Sequence, residues 1–354
     1  MIDARPGVYA HTRKGVGMGI TIRDVAAAAG VSTATVSRAL RGLPNVDHAT
    51  RERVTEVAAA LDYVISPSAS RLASGRTGSI AVITPYISRW FFSEIIARVE
   101  SVMQQSGMDL LLMNVGDYQN GHARIPPTPR LRRRVDGILI VSLPPQDPDL
   151  EAILSLGMPT AMIGGIAPNV ECVVIDDVSA AKRATEHLVA LGHTRIALMA
   201  GGPAEARFTA ESQRERGFHL VMKQNSLVED PMLEVFGHFT IEGGESAMDA
   251  LLNQPNPPTA VFAMSDEMAF GAIRSIRKHG LEPGRDVSIV GVDNHPMSSY
   301  LGLTTVSQPV SELGVTAGER LMGQILGIDP LGENGRVTEL PTELMVREST
   351  GTKS

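Results

Sequence analysis

Between Thr21 and Arg38 the chain carries hydroxyl and cationic side chains at a spacing suited to gripping a nucleic acid. On a helical pattern, Thr33, Ala34, Ser37 and Arg38 fall on one side, and Val36, Ala39 and Leu40 on the other. Small residues at Thr33 and Ala34 let a helix come close to base edges, and Arg38 is long enough to pair with guanine O6 and N7. Thr21, Ser32, Thr35 and Ser37 offer hydroxyls for phosphate contacts, which orient a protein on a duplex without reading its sequence. The same pattern also fits a three-helix packing module with a solvated polar face. Spacing alone leaves both readings open.

Presenting such a face takes three short helices between residues 21 and 63. Thr21-Ile22-Arg23-Asp24 reads as a capping box for the first, followed by Ile22, Val25, Ala26 and Ala29 at helical spacing. Gly30 permits a tight turn, and Ser32 can cap a second helix from Thr33 to Leu40. Gly42, Pro44 and Asn45 interrupt the chain before a third, capped at Asp47 or Thr50, whose buried face is Val54, Val57, Ala58 and Leu61. Helix, glycine turn, helix is the arrangement that sets a second helix into the major groove.

The expected organisation is a disordered tail over 1–18, a helix-turn-helix domain over 19–65, a linker over 66–78 and a ligand-binding and dimerisation domain over 79–354. Met18, directly before the first motif, is a second candidate start. Charge divides along the same line. Residues 1–76 hold ten Lys/Arg against six Asp/Glu, whereas the whole chain of 354 residues carries a net −7. A small basic segment on an acidic body suits a DNA-binding module attached to something else.

From Ser79 onward, short apolar runs alternate with amphipathic stretches. Candidate strands fall at 79–84, 109–115, 137–142, 160–163, 172–176, 195–200, 232–236, 260–264, 287–292 and 303–307. Helical patterns lie between most of them, which predicts parallel α/β sheets, two rather than one. No run approaches the ~20 apolar residues of a membrane span. No secretory signal is evident, so a cytoplasmic location and no membrane partner are expected. Cys172, the single cysteine, lies in an apolar run and reads as a buried strand residue.

The strings Thr21-Ile22-Arg23-Asp24-Val25-Ala26, Ala29-Gly30-Val31-Ser32 and Ala34-Thr35-Val36-Ser37-Arg38-Ala39-Leu40 closely resemble the headpiece of LacI/GalR-type regulators, and the resemblance extends to about Glu348. It implies an all-α helix-turn-helix headpiece joined to an α/β periplasmic-binding-protein-like effector domain of two parallel-sheet subdomains. Its function would be that of a sequence-specific regulator, expected to be a repressor. The partners implied are a palindromic DNA operator, a small-molecule effector (a sugar or sugar derivative in the favoured reading) and a second copy of the chain.

Leu72 matches the leucine that the family inserts into the minor groove from a hinge helix. A segment that short is too short to hold a helix alone in water, so its ordering should depend on pairing on DNA. Effector-contacting positions of the family correspond to Phe91, Phe92, Arg214, Phe239, Ser265 and Asp293. Together they offer aromatic faces, a forked donor and acceptors, which suits a polyhydroxylated ring; a nucleobase effector stays open.

One departure is Ile125-Pro126-Pro127-Thr128-Pro129-Arg130, where the family has an amphipathic helix that these prolines should break. Arg130, Arg132, Arg133 and Arg134 form a basic cluster beside it. No phosphate-binding loop, His-Glu-x-x-His or Gly-x-Ser-x-Gly motif occurs, so no enzyme, cofactor or metal is expected. His187 and His193 read as surface or capping residues, and the C-terminus shows no leucine heptads, which favours a dimer over a tetramer.

Overall fold

Three helices open the computed structural model, which describes residues 20–40, 42–63, 76–116, 131–143, 148–202, 209–332 and 335–353. They are α1 (Ile22–Ala29), α2 (Thr33–Leu40) and α3 (His48–Ala60). The Asp24 carboxylate accepts from both the backbone N–H and the hydroxyl of Thr21, at 2.8 and 2.7 Å, closing the start of α1. These bonds hold the Asp24 carboxyl below its ordinary value. Gly30, at φ 66°, turns the chain in a conformation that an L side chain adopts at a cost. Ser32 then accepts from the N–H of Thr35 at 3.1 Å, and Asp47 from that of Thr50 at 2.9 Å. Val25, Ala26, Ala29, Val36, Ala39, Val54 and Ala58 form the core. Arg51 reaches back from α3 to the carbonyl of Leu43 at 2.8 Å, fixing the loop after α2.

The chain separates into two compact units, Met1–Arg76 and Thr77–Ser354. The second unit contains two six-stranded sheets. The first is built from β1 (Ser79–Thr84), β2 (Asp109–Asn114), β3 (Gly137–Val141), β4 (Thr160–Ile163) and β5 (Glu171–Ile175), with helices α4 (Trp90–Gln105) and α5 (Pro148–Leu154) between them. The chain then crosses to α6 (Asp177–Ala190), β6 (Ile196–Ala200), α7 (Thr209–Gln224), β7 (Glu234–Phe236), α8 (Ile241–Leu252), β8 (Ala260–Ala263), α9 (Asp266–Lys278), β9 (Ser288–Asp293), α10 (Pro296–Leu301) and β10 (Thr304–Ser307). It returns with α11 (Val310–Leu326), which packs on α4 and on β3 to β5, and with β11 (Arg336–Leu340), then crosses a third time into β12 (Glu343–Met345).

Strand order is β11-β5-β4-β3-β1-β2 in one sheet and β12-β10-β9-β8-β6-β7 in the other. All pairs are parallel except β10 with β12. β3, β4, β5, β6, β8 and β9 are buried along their whole length, as parallel strands covered on both faces must be. The two-sheet α/β expectation holds, and among the described residues twelve strands replace the ten read from apolar runs. β11 was outside that reading because Arg336-Val337-Thr338-Glu339-Leu340 is a half-exposed edge strand of alternating character.

His193 corrects its expected surface or capping role. It is buried, with Nδ1 at 3.0 Å from the Thr259 hydroxyl and Nε2 at 2.9 Å from Ser288 Oγ and 3.0 Å from the Gly351 carbonyl. These partners lie 66 to 158 residues away, beyond any local pattern. Cys172 lies buried in β5 as expected. Among the described residues no helix is long and apolar enough to cross a membrane. The tail, Leu72 and the segment 125–130 lie outside the described residues. Of the basic cluster, Arg132, Arg133 and Arg134 are exposed, and Arg132 donates to the carbonyl of Leu156 at 2.7 Å.

Candidate functional site: a recognition helix and a two-sheet cleft

Two surfaces carry the residues singled out in the sequence, one on each unit. On the first, α2 turns Val36 and Ala39 inward, so Thr33, Ala34 and Arg38 stand exposed while Thr35 and Ser37 are half-buried. Thr21 and Ser32 cap the helices α1 and α2 and stay exposed. The Ser32 and Thr35 hydroxyls lie 2.9 Å apart, so both sit at the N-terminal end of α2. A helix N-terminus with unpaired N–H groups and hydroxyls attracts phosphate.

On the second unit, Phe91, Phe92, Arg214, Phe239, Ser265 and Asp293 all line one cleft, with an empty volume of about 780 Å³. The carboxyl ends of the strands supply the walls, where ligands of parallel sheets bind. Tyr86 follows β1, positioned by its carbonyl accepting from the Thr84 hydroxyl at 2.9 Å. Phe91 and Phe92 open α4, their rings edge to face at 5.2 Å, and Tyr86 meets Phe92 at 5.4 Å. Phe92 serves both as cleft lining and as core, being buried, while Phe91 is half-buried.

Phe239 follows β7 in a left-handed conformation, as does His238 before it. A Cβ on Gly201 would lie 1.8 Å from the Phe239 ring, so only glycine at the end of β6 admits that ring. Trp90 and His295 bring their rings to 4.7 Å, joining the two subdomains beside the cleft.

The polar floor is bonded within itself. Arg214, buried on α7, donates through Nε to Asp177 Oδ1 at 2.8 Å and through Nη1 to the Met264 carbonyl at 2.6 Å. Burial pushes the Asp177 carboxyl up, and the Arg214 charge opposes that shift. Asp293 ends β9 at φ 131°, a conformation that costs about 1–3 kcal/mol and recurs at ligand sites. It accepts from Gln308 Nε2 at 2.5 Å. Burial raises its pKa, the neighbouring Asp266 charge adds to this, and Arg214 opposes both.

Asp266 itself is satisfied by the N–H of His295 at 2.9 Å and the hydroxyls of Ser298 and Thr305, each at 2.6 Å. It ties the start of α9, just after β8, to the loop after β9, to α10 and to β10 itself. Ser265 faces the cleft and accepts from the N–H of Met268 at 3.4 Å as the cap of α9.

Sequence reasoning missed Tyr86, Arg89, Asp177, Glu211, Glu267 and Gln308, all of which line the cleft. Gln308 follows β10 directly and Asp177 lies two residues past β5, so inspecting every strand end would have found them. Glu211 and Glu267 sit in the first turns of α7 and α9, where a carboxylate reads as an ordinary helix-dipole partner.

Residues 77–348 match the family described as periplasmic binding proteins and the sugar binding domain of the LacI family, and residues 21–66 match the bacterial regulatory proteins of the lacI family. The chain belongs to the LacI family. Among its relatives, the HTH-type transcriptional repressor CytR of Escherichia coli (strain K12) is 36% identical over 337 residues, covering 93% of this chain and 96% of CytR. The HTH-type transcriptional regulator DegA of Bacillus subtilis (strain 168) is 34% identical over 344 residues, covering 94% of this chain and 98% of DegA. A crystal structure of the Lac repressor dimer bound to operator and the anti-inducer ONPF superposes with a TM-score of 0.81 at 30% identity, covering 94% of this chain and 99% of that one. This LacI-family chain therefore has relatives that match both its units, headpiece and cleft together.

Proposed function

We propose that this LacI-family protein is a DNA-binding transcriptional regulator, in the favoured reading a repressor, whose operator affinity is set by a small molecule in the cleft. The observation that carries this is one chain holding both an exposed α2 face, Thr33, Ala34 and Arg38, and a cleft lined by Phe91, Phe92, Arg214, Phe239, Ser265 and Asp293. In this reading α2 enters the major groove, Arg38 reads a guanine, and Thr21, Ser32, Thr35 and Ser37 touch phosphates. Leu72 wedges a central base step from a paired hinge, which requires a homodimer on a palindrome. The Lac repressor structure, a dimer on operator, and the CelR structure, a complex with cellobiose that is 30% identical with a TM-score of 0.65, support the DNA, dimer and sugar elements of the proposal. A cytoplasmic location and the absence of enzymatic turnover go with that role.

Closure of the two subdomains on ligand is the proposed switch. Effector and operator then bind with reciprocal coupling, typically about 1–3 kcal/mol. The test is selection of duplexes from a random library at fixed salt, followed by titration of sugars against the enriched site. An enriched palindrome whose affinity shifts with a sugar supports the regulator, and Arg38→Ala should lose about 1–3 kcal/mol of discrimination at one position of each half-site. No enrichment above random duplex removes the DNA-reading role.

A further inference from the structure

The start of α4 lies on the first subdomain, at the edge of the cleft. Its N-cap residue, Arg89, makes no side-chain cap, and its first turn holds no acid. A helix that starts this way leaves N–H groups to be met from elsewhere. Here the partner comes from the other subdomain. The carboxyl of Glu267, in the first turn of α9, accepts from the backbone N–H of Trp90 and lies close enough to Arg89 to feel its charge. Arg89 is held in turn over the Tyr86 ring, 3.6 Å from its centre. The first turn of α4 is thus capped across the cleft.

A second contact stands beside the first. The Trp90 ring meets the His295 ring at 4.7 Å and 57°, and neither residue is among the described lining of the cleft. His295 is fixed from behind. Its backbone N–H donates to Asp266 at 2.9 Å, and its Nδ1 accepts from the N–H of Met297 at 2.9 Å as the cap of α10. The Phe270 ring packs against the imidazole edge to face at 5.3 Å. So held, the imidazole has little freedom to follow Trp90 when α4 moves away. Trp90 carries both contacts, one on its backbone and one on its ring. Rotation of either subdomain away from the other breaks the two together.

We infer that Trp90, Glu267 and His295 form a latch across the edge of the cleft, made when the subdomains close and broken when they open, so that this chain favours the closed cleft before any ligand binds. The inference rests on the proposed closure of the two subdomains as the switch. Such a latch also sets the apparent affinity of the ligand. The larger the fraction of chains already closed, the less of the ligand's binding energy goes into closing them.

The experiment is a spin-label distance measurement on the full chain carrying Cys172→Ala, Ser101→Cys on α4 and Tyr300→Cys on α10, the last two positions being exposed. Labelled chain is diluted into unlabelled chain, so that each label pair reports on one molecule. Without ligand this background protein should show mainly one short distance. Trp90→Leu/Glu267→Gln should add a longer distance, roughly tenfold more populated than in the background, as the loss of an aromatic pair and a helix cap together implies. Glu267→Gln alone keeps the side-chain shape and should act the same way by about threefold. Unchanged distances in both variants, or a background protein already mostly at the longer distance, overturns the latch. Ribose, glucose and uridine added to the background protein tell the two failures apart. If one of them shifts the distances while the variants do not, closure stands and the latch falls. If neither the variants nor these three ligands move the distances, the closure reading falls and the latch with it.

Discussion

In the headpiece the residues proposed to contact a partner, among them Thr33, Ala34 and Arg38, stand exposed to water. In the cleft Arg214, Asp177, Asp293 and Gln308 are buried and bonded in pairs, Arg214 to Asp177 at 2.8 Å and Gln308 to Asp293 at 2.5 Å. The first surface is polar and unassembled. A partner brings the opposite charges, and little of the headpiece's own stability depends on them. The second is preassembled, so a ligand must match a fixed set of donors and acceptors, and the fold depends on that set being complete. The headpiece face can be altered at less cost to the fold than the paired groups of the cleft.

The largest effect should come from breaking the cleft set. Arg214→Met leaves Asp177 buried without its cation, and unfolding of the second unit should become easier by about 3–5 kcal/mol. Trp90, the single tryptophan, lies in that unit, so urea titration followed by its fluorescence reads the change directly. Adding Asp177→Asn should return most of it. A loss below about 1 kcal/mol for Arg214→Met alone would contradict the buried-pair account.

Next comes a pH effect confined to the same set. Burial raises the Asp293 pKa in the folded protein above the ordinary ~3.9 of an unfolded chain. The native state therefore holds the proton more tightly, and this group's contribution to stability falls as pH rises above about 4. Asp293→Asn removes the titration but keeps an acceptor for Gln308. The variant should gain on the original chain as pH rises, by ~1.4 kcal/mol per unit wherever the native acid stays protonated and the unfolded one does not. Equal pH dependence in both proteins would remove Asp293 as a strained acid.

The headpiece should respond more to its core than to its polar face. Val54 is fully buried, and Val54→Ala should cost roughly 2 kcal/mol of headpiece stability with the Trp90 transition unmoved. Amide exchange in α1 to α3 measures it. Smallest of all, Ser32→Ala removes the hydroxyl that accepts from Thr35 and should cost about 1 kcal/mol. A greater loss from Ser32→Ala than from Val54→Ala would invert the comparison.

The same contrast explains what could be read from the sequence. The headpiece is a local object: caps, a glycine turn and apolar spacing all lie within residues 21–63, and α1 to α3 fall where those signals put them. The sheets were legible because fully buried parallel strands are continuous apolar runs. β11 and β12 carry no such run, and they pair with β5 and β10, which lie 165 and 40 residues before them at Glu171–Arg336 and Thr305–Met345. The cleft was legible only in part, because its set is assembled from six or more separate strand ends. Asp177 needs Arg214, 37 residues later, before its burial makes sense. Residue type alone does not reveal which acid near a strand end will be enclosed.

The three crossings of the second unit also fix an order of events during synthesis. The headpiece is complete in sequence by Tyr63, while the first sheet lacks an edge until β11 has been made. Some ~280 residues separate the two, on the order of 15–55 s at 5–20 residues per second. For that interval the headpiece sequence is complete while the first sheet is not. Any chain terminated before residue 336 lacks β11 and β12 and so loses an edge of both sheets.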